Sequence, residues 1–222
     1  MSLVLGILAR DKAGNQEVVF ASDGRAVAHD TKEIRNESFE KIKKLTPKIC
    51  MGYAGSSGEL YEDVYKELDI RIKGMKVKDL PSITSKLKSI ILEQKNTKVH
   101  KEMEKSYGPL IHKFIIGGVF KRKLRINTLN SKTNFQIKKH KFPPRSNIFC
   151  QIFASNNDIQ AKVEVLVNDK LGHEQTFDEI VENTRDIISK ASELCNTINN
   201  HIFIRRLSRD FEQEKYIGFE KE

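Results

Sequence analysis

Only three cysteines, Cys50, Cys150 and Cys195, occur in the 222 residues, and they lie far apart with no metal-ligand spacing. A scattered, odd-numbered set excludes a disulfide scaffold and reads as buried thiols in a reducing, cytoplasmic compartment. No run of ~18 apolar residues is present, so no membrane span is expected. The opening "LVLGILA" is short and leads straight into "RDKAGNQE"; it reads as a strand, not a signal peptide. The six histidines are dispersed, with no HxxxH pair and no Cys/His cluster, which gives no metal signature. No Walker-type or dinucleotide glycine pattern appears, since "GSSGEL" has no lysine in the required place. Neither a metal nor a cofactor is expected.

Acidic residues are missing from one long stretch. The net charge is +9, and no Asp or Glu falls between Lys105 and Asn157, a segment that contains "FKRKLR" and "IKKHKFPPR". Such a stripe fits a polyanionic partner or a strand edge guarded by lysine against stray pairing. Aromatic residues are not interleaved as single-strand binders require, which favours the guarded edge over a nucleic-acid partner.

A composition of 38% hydrophobic and 31% charged residues describes a soluble globular chain. Its length suits one domain of medium size or two small ones. With no internal repeat or low-complexity linker, the chain is read as one domain over 1–222. Residues 3–9 and 17–22 read as strands joined by the turn-rich "DKAGNQ", and 48–55 as a strand ending in glycine. Ser56, three residues before Glu59, then forms a capping-box signature, followed by Leu60, Val64 and Leu68 at helical spacing. A second helix is expected over 79–94, with Pro81 in its first turn and Leu87, Ile90 and Ile91 on its apolar face. Strands are expected at 113–120, 124–130 and 134–140. A short helix from Asp158 follows, then a longer one from Thr176 to about 198 with Glu179 completing a capping box, and "HIFIRRLSRDF" closes as a strand. This order implies two sheets face to face with a helix pair on each outer side.

One stretch asks for more than a fold. "VVFASDGRAVAHD", residues 18–30, ends an apolar run in Asp23-Gly24-Arg25, and a plain hairpin turn explains only the glycine. A hydroxyl residue leads into the first strand, an acid-x-Arg motif ends the second, and Lys41 stands before the glycine-rich "GYAGSSG". Together these resemble the proteasome β-subunit superfamily of N-terminal-nucleophile (Ntn) hydrolases, most strongly over residues 2–70. The resemblance implies an α+β fold, the four-layer αββα sandwich of the Ntn hydrolases. It also implies a peptide or protein substrate and a ring-shaped homo-oligomer.

Carried over residue by residue, the resemblance makes Ser2 the nucleophile once Met1 is removed. Its freed α-amine titrates near pH 8 and serves as the base. Asp23 holds Lys41 charged, and Lys41 favours the alkoxide of the nucleophile. The Gly55 N–H is the oxyanion donor, and Gly52 lets the backbone approach. Arg25 flanks the site on the substrate side, and Ser155 matches a serine that supports the amine. Asn196 and Asn199 stand where the family has an acid and a serine; asparagine hydrogen-bonds but carries no charge. The same asparagines suit a helix C-terminal cap. Two functions follow: an Ntn peptidase or amidohydrolase, or a subunit of the same fold that serves assembly alone.

Overall fold

Alternation along the first strand decides the architecture. In β1 (Leu3–Arg10), Leu3, Leu5, Ile7 and Ala9 pack into one apolar cluster, while Val4 and Leu8 pack into another. A strand buried on both faces must have a layer on each side of it. The computed structural model, which describes residues 2–27, 33–143, 146–154, 157–172, 175–208 and 216–219, supplies both layers.

The first sheet is built from β1, β2 (Gln16–Asp23), β10 (Ile148–Ala154), β11 (Ile202–Ser208) and β12 (Tyr216–Phe219), in the order β10-β1-β2-β11-β12. The second contains β5 (Ile42–Thr46), β6 (Ile49–Gly55), β7 (His112–Phe120), β8 (Lys123–Asn130) and β9 (Lys138–His140), in sequence order. Every pairing is antiparallel. A small separate pairing joins β3 (Ala26–Val27) to β4 (Ile34–Asn36).

Helices α1 (Gly58–Lys73) and α2 (Leu80–Lys95) cover the second sheet through Val64, Leu68, Leu87 and Ile90. Helices α4 (Asn157–Lys170) and α5 (Phe177–Leu194) cover the first through Val163, Ile180, Ile187 and Ile188. Between the sheets, Val4, Leu8, Val18 and Phe20 meet Ile42, Cys50, Ala54, Ile115 and Ile126. The chain is therefore the αββα sandwich that the order of its elements implies. No helix of the described residues is long and apolar enough to cross a membrane.

Local chemistry moved several boundaries. The cap of α1 is Ser57, whose hydroxyl accepts from the Leu60 N–H at 3.2 Å. Ser56 instead accepts from the Ile111 N–H at 3.0 Å and so ties α1 to β7. The buried stripe of α1 accordingly begins at Tyr61, not Leu60. Helix α3 (Lys98–Tyr107) went unread because it has no apolar stripe; its buried residue is His100. The strand expected over 134–140 shrinks to β9, because Asn134 and Phe135 adopt left-handed φ of 48° and 54° after the short 3-10 turn Ser131–Thr133. Helix α5 keeps its capping box on Thr176 and Glu179 but stops at Leu194, where Cys195 turns extended.

Candidate active site

Asp23, the last residue of β2, is fully buried. Its Oδ1 lies 2.6 Å from the Lys41 Nζ and accepts the Leu3 N–H at 2.8 Å. Its Oδ2 accepts the Arg25 N–H at 3.1 Å. One ammonium and two amides thus hold the carboxylate in place, at the edge where β1 begins and β2 ends. Lys41 precedes β5, so the pair crosses from one sheet to the other. Its own carbonyl accepts the Tyr53 N–H at 3.0 Å and the Tyr61 hydroxyl at 3.2 Å. Burial pushes the Lys41 ammonium below its ordinary pKa, opposed by the attraction of Asp23 and reinforced by the Arg25 charge.

Gly55 closes β6 on the same edge. It lies opposite His112, and the next amide, Ser56 N–H, bonds to the Ile111 carbonyl at 2.8 Å. In an antiparallel ladder that pattern makes Gly55 and His112 a non-hydrogen-bonded pair. The Gly55 N–H therefore points away from β7, to the side on which the Tyr53 N–H reaches Lys41. A side chain at Gly55 would collide: a Cβ would sit 2.2 Å from the Tyr53 hydroxyl and 2.6 Å from the Ile111 carbonyl oxygen. That hydroxyl donates to the Ser57 carbonyl at 2.9 Å and lies 3.0 Å from His112 Nδ1. Burial pushes His112 down to about 3, so its ring is neutral at neutral pH.

The residues after Asp23 form a clasp. Arg25 makes two 3.0 Å bonds to the Glu37 carboxylate and donates to the Asn196 carbonyl. The guanidinium holds the Glu37 carboxyl below the usual carboxylate range. Asn199 accepts the Gly24 N–H at 2.9 Å and donates to the Glu37 carbonyl at 2.8 Å. Gly24 fits because a Cβ there would lie 2.7 Å from the Glu37 carbonyl oxygen. The Phe39 N–H reaches the Gly24 carbonyl at 2.7 Å, which binds the segment leading to Lys41 onto the Asp-Gly-Arg turn. The Arg25 guanidinium and the Asn199 side chain thus bond within the clasp, and Asn196 enters it through its backbone carbonyl.

Gly52 lies between the sheets, where a Cβ would come within 2.7 Å of the Val4 Cγ1; its contacts are packing contacts. Ser2 is buried and adjoins Leu3, whose amide holds Asp23. Ser155 lies outside the described residues; the residue before it, Ala154, is the cross-strand partner of Leu3.

Two features were missed in the sequence. Lys113, second residue of β7, is buried and donates to the Ala154 carbonyl at 2.6 Å and to Gln160 Oε1 at 3.1 Å. Burial and the Lys132 charge lower its pKa. The signal was there: in "HKFIIGGVF" it shares the alternation of Ile115 and Gly117, residues that face the other sheet. The second feature is a groove of about 710 Å³ beside Gly55, with Ala26, Val27, Phe39, Ser57, Met103 and Leu110 in its wall. Part of that wall comes from α3, the unread helix. Among the described residues no group of three or more His, Cys, Asp or Glu side chains could hold a metal ion.

A family model described as proteasome subunit matches residues 12–132. The match spans β2 to β8 and takes in Asp23, Lys41 and Gly55. A comparison with curated proteins finds no match.

Proposed function

The chain belongs to the proteasome subunit family, and on that premise we propose that it is an N-terminal-nucleophile hydrolase that cleaves peptide or amide bonds. The observation that carries the reading is the buried Asp23–Lys41 pair at 2.6 Å, whose carboxylate also holds the amide next to Ser2. A buried ion pair is a poor source of stability, because desolvation offsets most of the attraction. Its position beside a hydroxyl residue gives it a chemical use.

In this mechanism Met1 is removed and Ser2 becomes the chain terminus. The Ser2 hydroxyl attacks the substrate carbonyl while its α-amine takes the proton. The Lys41 charge stabilises the oxygen as it becomes an alkoxide, and Asp23 keeps that charge in place. The Gly55 N–H meets the oxyanion of the tetrahedral intermediate, a contact worth about 2.7–4 kcal/mol in comparable enzymes. The C–N bond then breaks, the α-amine passes its proton to the leaving amine, and an ester on Ser2 remains. Water, deprotonated by the same amine, releases the acid and restores Ser2. The substrate lies in the groove next to Gly55, against Ala26 and Val27. The chain works as one unit over 1–222, in a ring of its own copies. Its three thiols, Cys50, Cys150 and Cys195, suit a cytoplasmic setting.

A second reading has its own observation. Asn196 and Asn199 serve the Arg25–Glu37 clasp, so they bring no acid to tune an α-amine. That favours a subunit kept for assembly alone. The intact mass before and after treatment with a β-lactone directed at Ser/Thr nucleophiles separates the two. Loss of Met1 and a single adduct on Ser2 is the expected result. Retained Met1 with no adduct overturns the hydrolase in favour of the assembly subunit.

A further inference from the structure

The acid-free stretch of the sequence gathers at the end of the sandwich opposite Asp23. Leu3 and Arg10 are seven residue steps apart along β1, about 23 Å at ~3.3 Å per residue. At the Arg10 end a pocket of about 390 Å³ is lined by Arg10, Lys121, Arg122, Lys123, Arg125 and Lys141. The remaining lining residues are Gln16, Leu124 and Phe142, so no carboxylate stands in the wall.

None of the six cations has an ion-pair partner among the described residues. The Nε of Arg10 and the Nε of Arg125 are buried without a hydrogen-bond acceptor. The acids that follow lining residues in sequence are committed elsewhere. Asp11 accepts two 2.8 Å bonds from Asn15, and Glu17 binds the Arg206 guanidinium at 2.7 and 2.9 Å. Backbone geometry adds a second, independent sign. Lys121 and Arg122 form the two-residue turn between β7 and β8 with left-handed φ of 49° and 61°. Glycine or asparagine fits such a turn with less strain, and strain of this kind collects at functional positions.

We infer that this pocket binds a compact oligophosphate. Six positive charges around so small a volume call for an anion with several charges close together. A peptide carboxylate brings one charge, whereas a phosphate chain brings one or more per phosphorus, with oxygens that match the guanidinium forks of Arg10, Arg122 and Arg125. A nucleic acid is disfavoured by the same geometry. The pocket is local, and its one aromatic ring, Phe142, already carries the Arg10 guanidinium over one face at 4.6 Å, which is not the run of stacking rings that a single strand requires. The guarded-edge reading of "FKRKLR" accounts for lysines spread along an edge, not for their convergence with Arg10 and Lys141.

The test is calorimetric titration of the full-length protein at low salt with inorganic tripolyphosphate, with ATP free of magnesium, and with a random single-stranded RNA. Saturable binding of tripolyphosphate at one site per chain is expected. It should weaken at least tenfold in the triple variant Lys121→Gln, Arg122→Gln, Lys141→Gln, and stay unchanged in Lys66→Gln, Lys73→Gln on the α1 surface. Equal binding of tripolyphosphate and ATP assigns recognition to the phosphate chain; tighter binding of ATP assigns part of it to the nucleoside, and both support the site. No saturable binding of either, or undiminished binding by a triple variant with an unchanged melting temperature, would overturn the proposal. So would an affinity for RNA that exceeds tripolyphosphate and climbs with RNA length, the mark of an extended basic surface.

Discussion

At one end of β1 and β2 Lys41 is wholly buried against Asp23; at the other end six cations crowd a pocket with no acid in its wall. Desolvation acts strongly on the first and weakly on the second. Lys41 is tolerated because Asp23 accepts its charge and two amides hold Asp23. The exposed cations there, Lys121, Arg122, Lys123 and Lys141, need no partner while water reaches them, so they remain available to a ligand. Positive charge in this molecule therefore sits in two kinds of surroundings: desolvated within the proposed active site at one end, and open to the proposed anionic ligand at the other.

The sharpest way to break that comparison is to remove one partner of the buried pair. Lys41→Ala leaves the Asp23 carboxylate buried and uncompensated, and is expected to cost about 3–5 kcal/mol of stability. The double change Asp23→Asn, Lys41→Ala removes both charges and should cost clearly less than the sum of its two single changes. Urea unfolding of the four proteins measures this. A loss below about 1 kcal/mol in Lys41→Ala would mean that water reaches the pair and that the two ends do not differ.

Glycines offer a second, smaller contrast. A Cβ at Gly24 would lie 2.7 Å from the Glu37 carbonyl and 3.1 Å from the His201 carbonyl, both backbone. Gly24→Ala should cost about 1–3 kcal/mol by overpacking and reduce adduct formation on Ser2, since the clasp orients the strand end. Gly14, in the β1–β2 turn at the cationic end, has a φ of 84° and nothing within 4 Å of a Cβ. Gly14→Ala should cost only the left-handed conformation, about 1 kcal/mol, and leave Ser2 reactivity unchanged. Equal effects of both changes on reactivity would remove the clasp from the account.

The sequence exposed the frame better than the site. The short apolar runs of β1 and β2 around a turn, the apolar face of α2 and the capping box of α5 were readable because each is a local pattern with one physical cause. Asp23, Lys41 and Gly55 were singled out through a resemblance, and the fold brings Asp23 and Lys41 into contact across two sheets, which no spacing in the sequence encodes. Asn199 illustrates the limit. Its position after α5 invited a cap or a role at the amine, yet its bonds run to Gly24 and Glu37, 175 and 162 residues away. Helix α3 and the turn at Asn134 were hidden for a different reason: one lacks an apolar stripe, and the other depends on left-handed backbone at two non-glycine residues.

Acid titration sharpens the comparison further, because histidine can be buried neutral where lysine needs a partner. His112 at the site edge is pushed down to about 3, and His140 in β9 to about 4, both chiefly by burial. Each binds its proton more weakly folded than unfolded, where the pKa is ~6.5. Below that value the unfolded chain binds more protons, so stability falls as pH drops through about 6.5 toward 4 and 3. Between pH 6.5 and 5 most carboxylates stay ionised, so the loss there reports the histidines, roughly 1–2 kcal/mol in all after allowing for partial solvation of His140. Urea midpoints at pH 7.0 and 5.0 measure it. A flat profile would mean that both rings keep a solvent path.

The smallest effect belongs to the cationic end and carries the opposite sign. Lys121 and Arg122 are exposed and pair with no acid among the described residues, so their mutual repulsion is screened only by water and salt. Lys121→Gln, Arg122→Gln should therefore stabilise the protein by a few tenths of a kcal/mol at low salt. The gain should vanish near 0.5 M salt, where the screening length falls to ~4 Å. Thermal melts of the variant and the parent in 20 mM and 500 mM salt measure the difference. A loss of more than about 1 kcal/mol would show that these cations are structural, held by a partner as Lys41 is by Asp23. A gain that disappears with salt would show the reverse: charge held apart against its own repulsion, at a site whose natural counterpart is an anion.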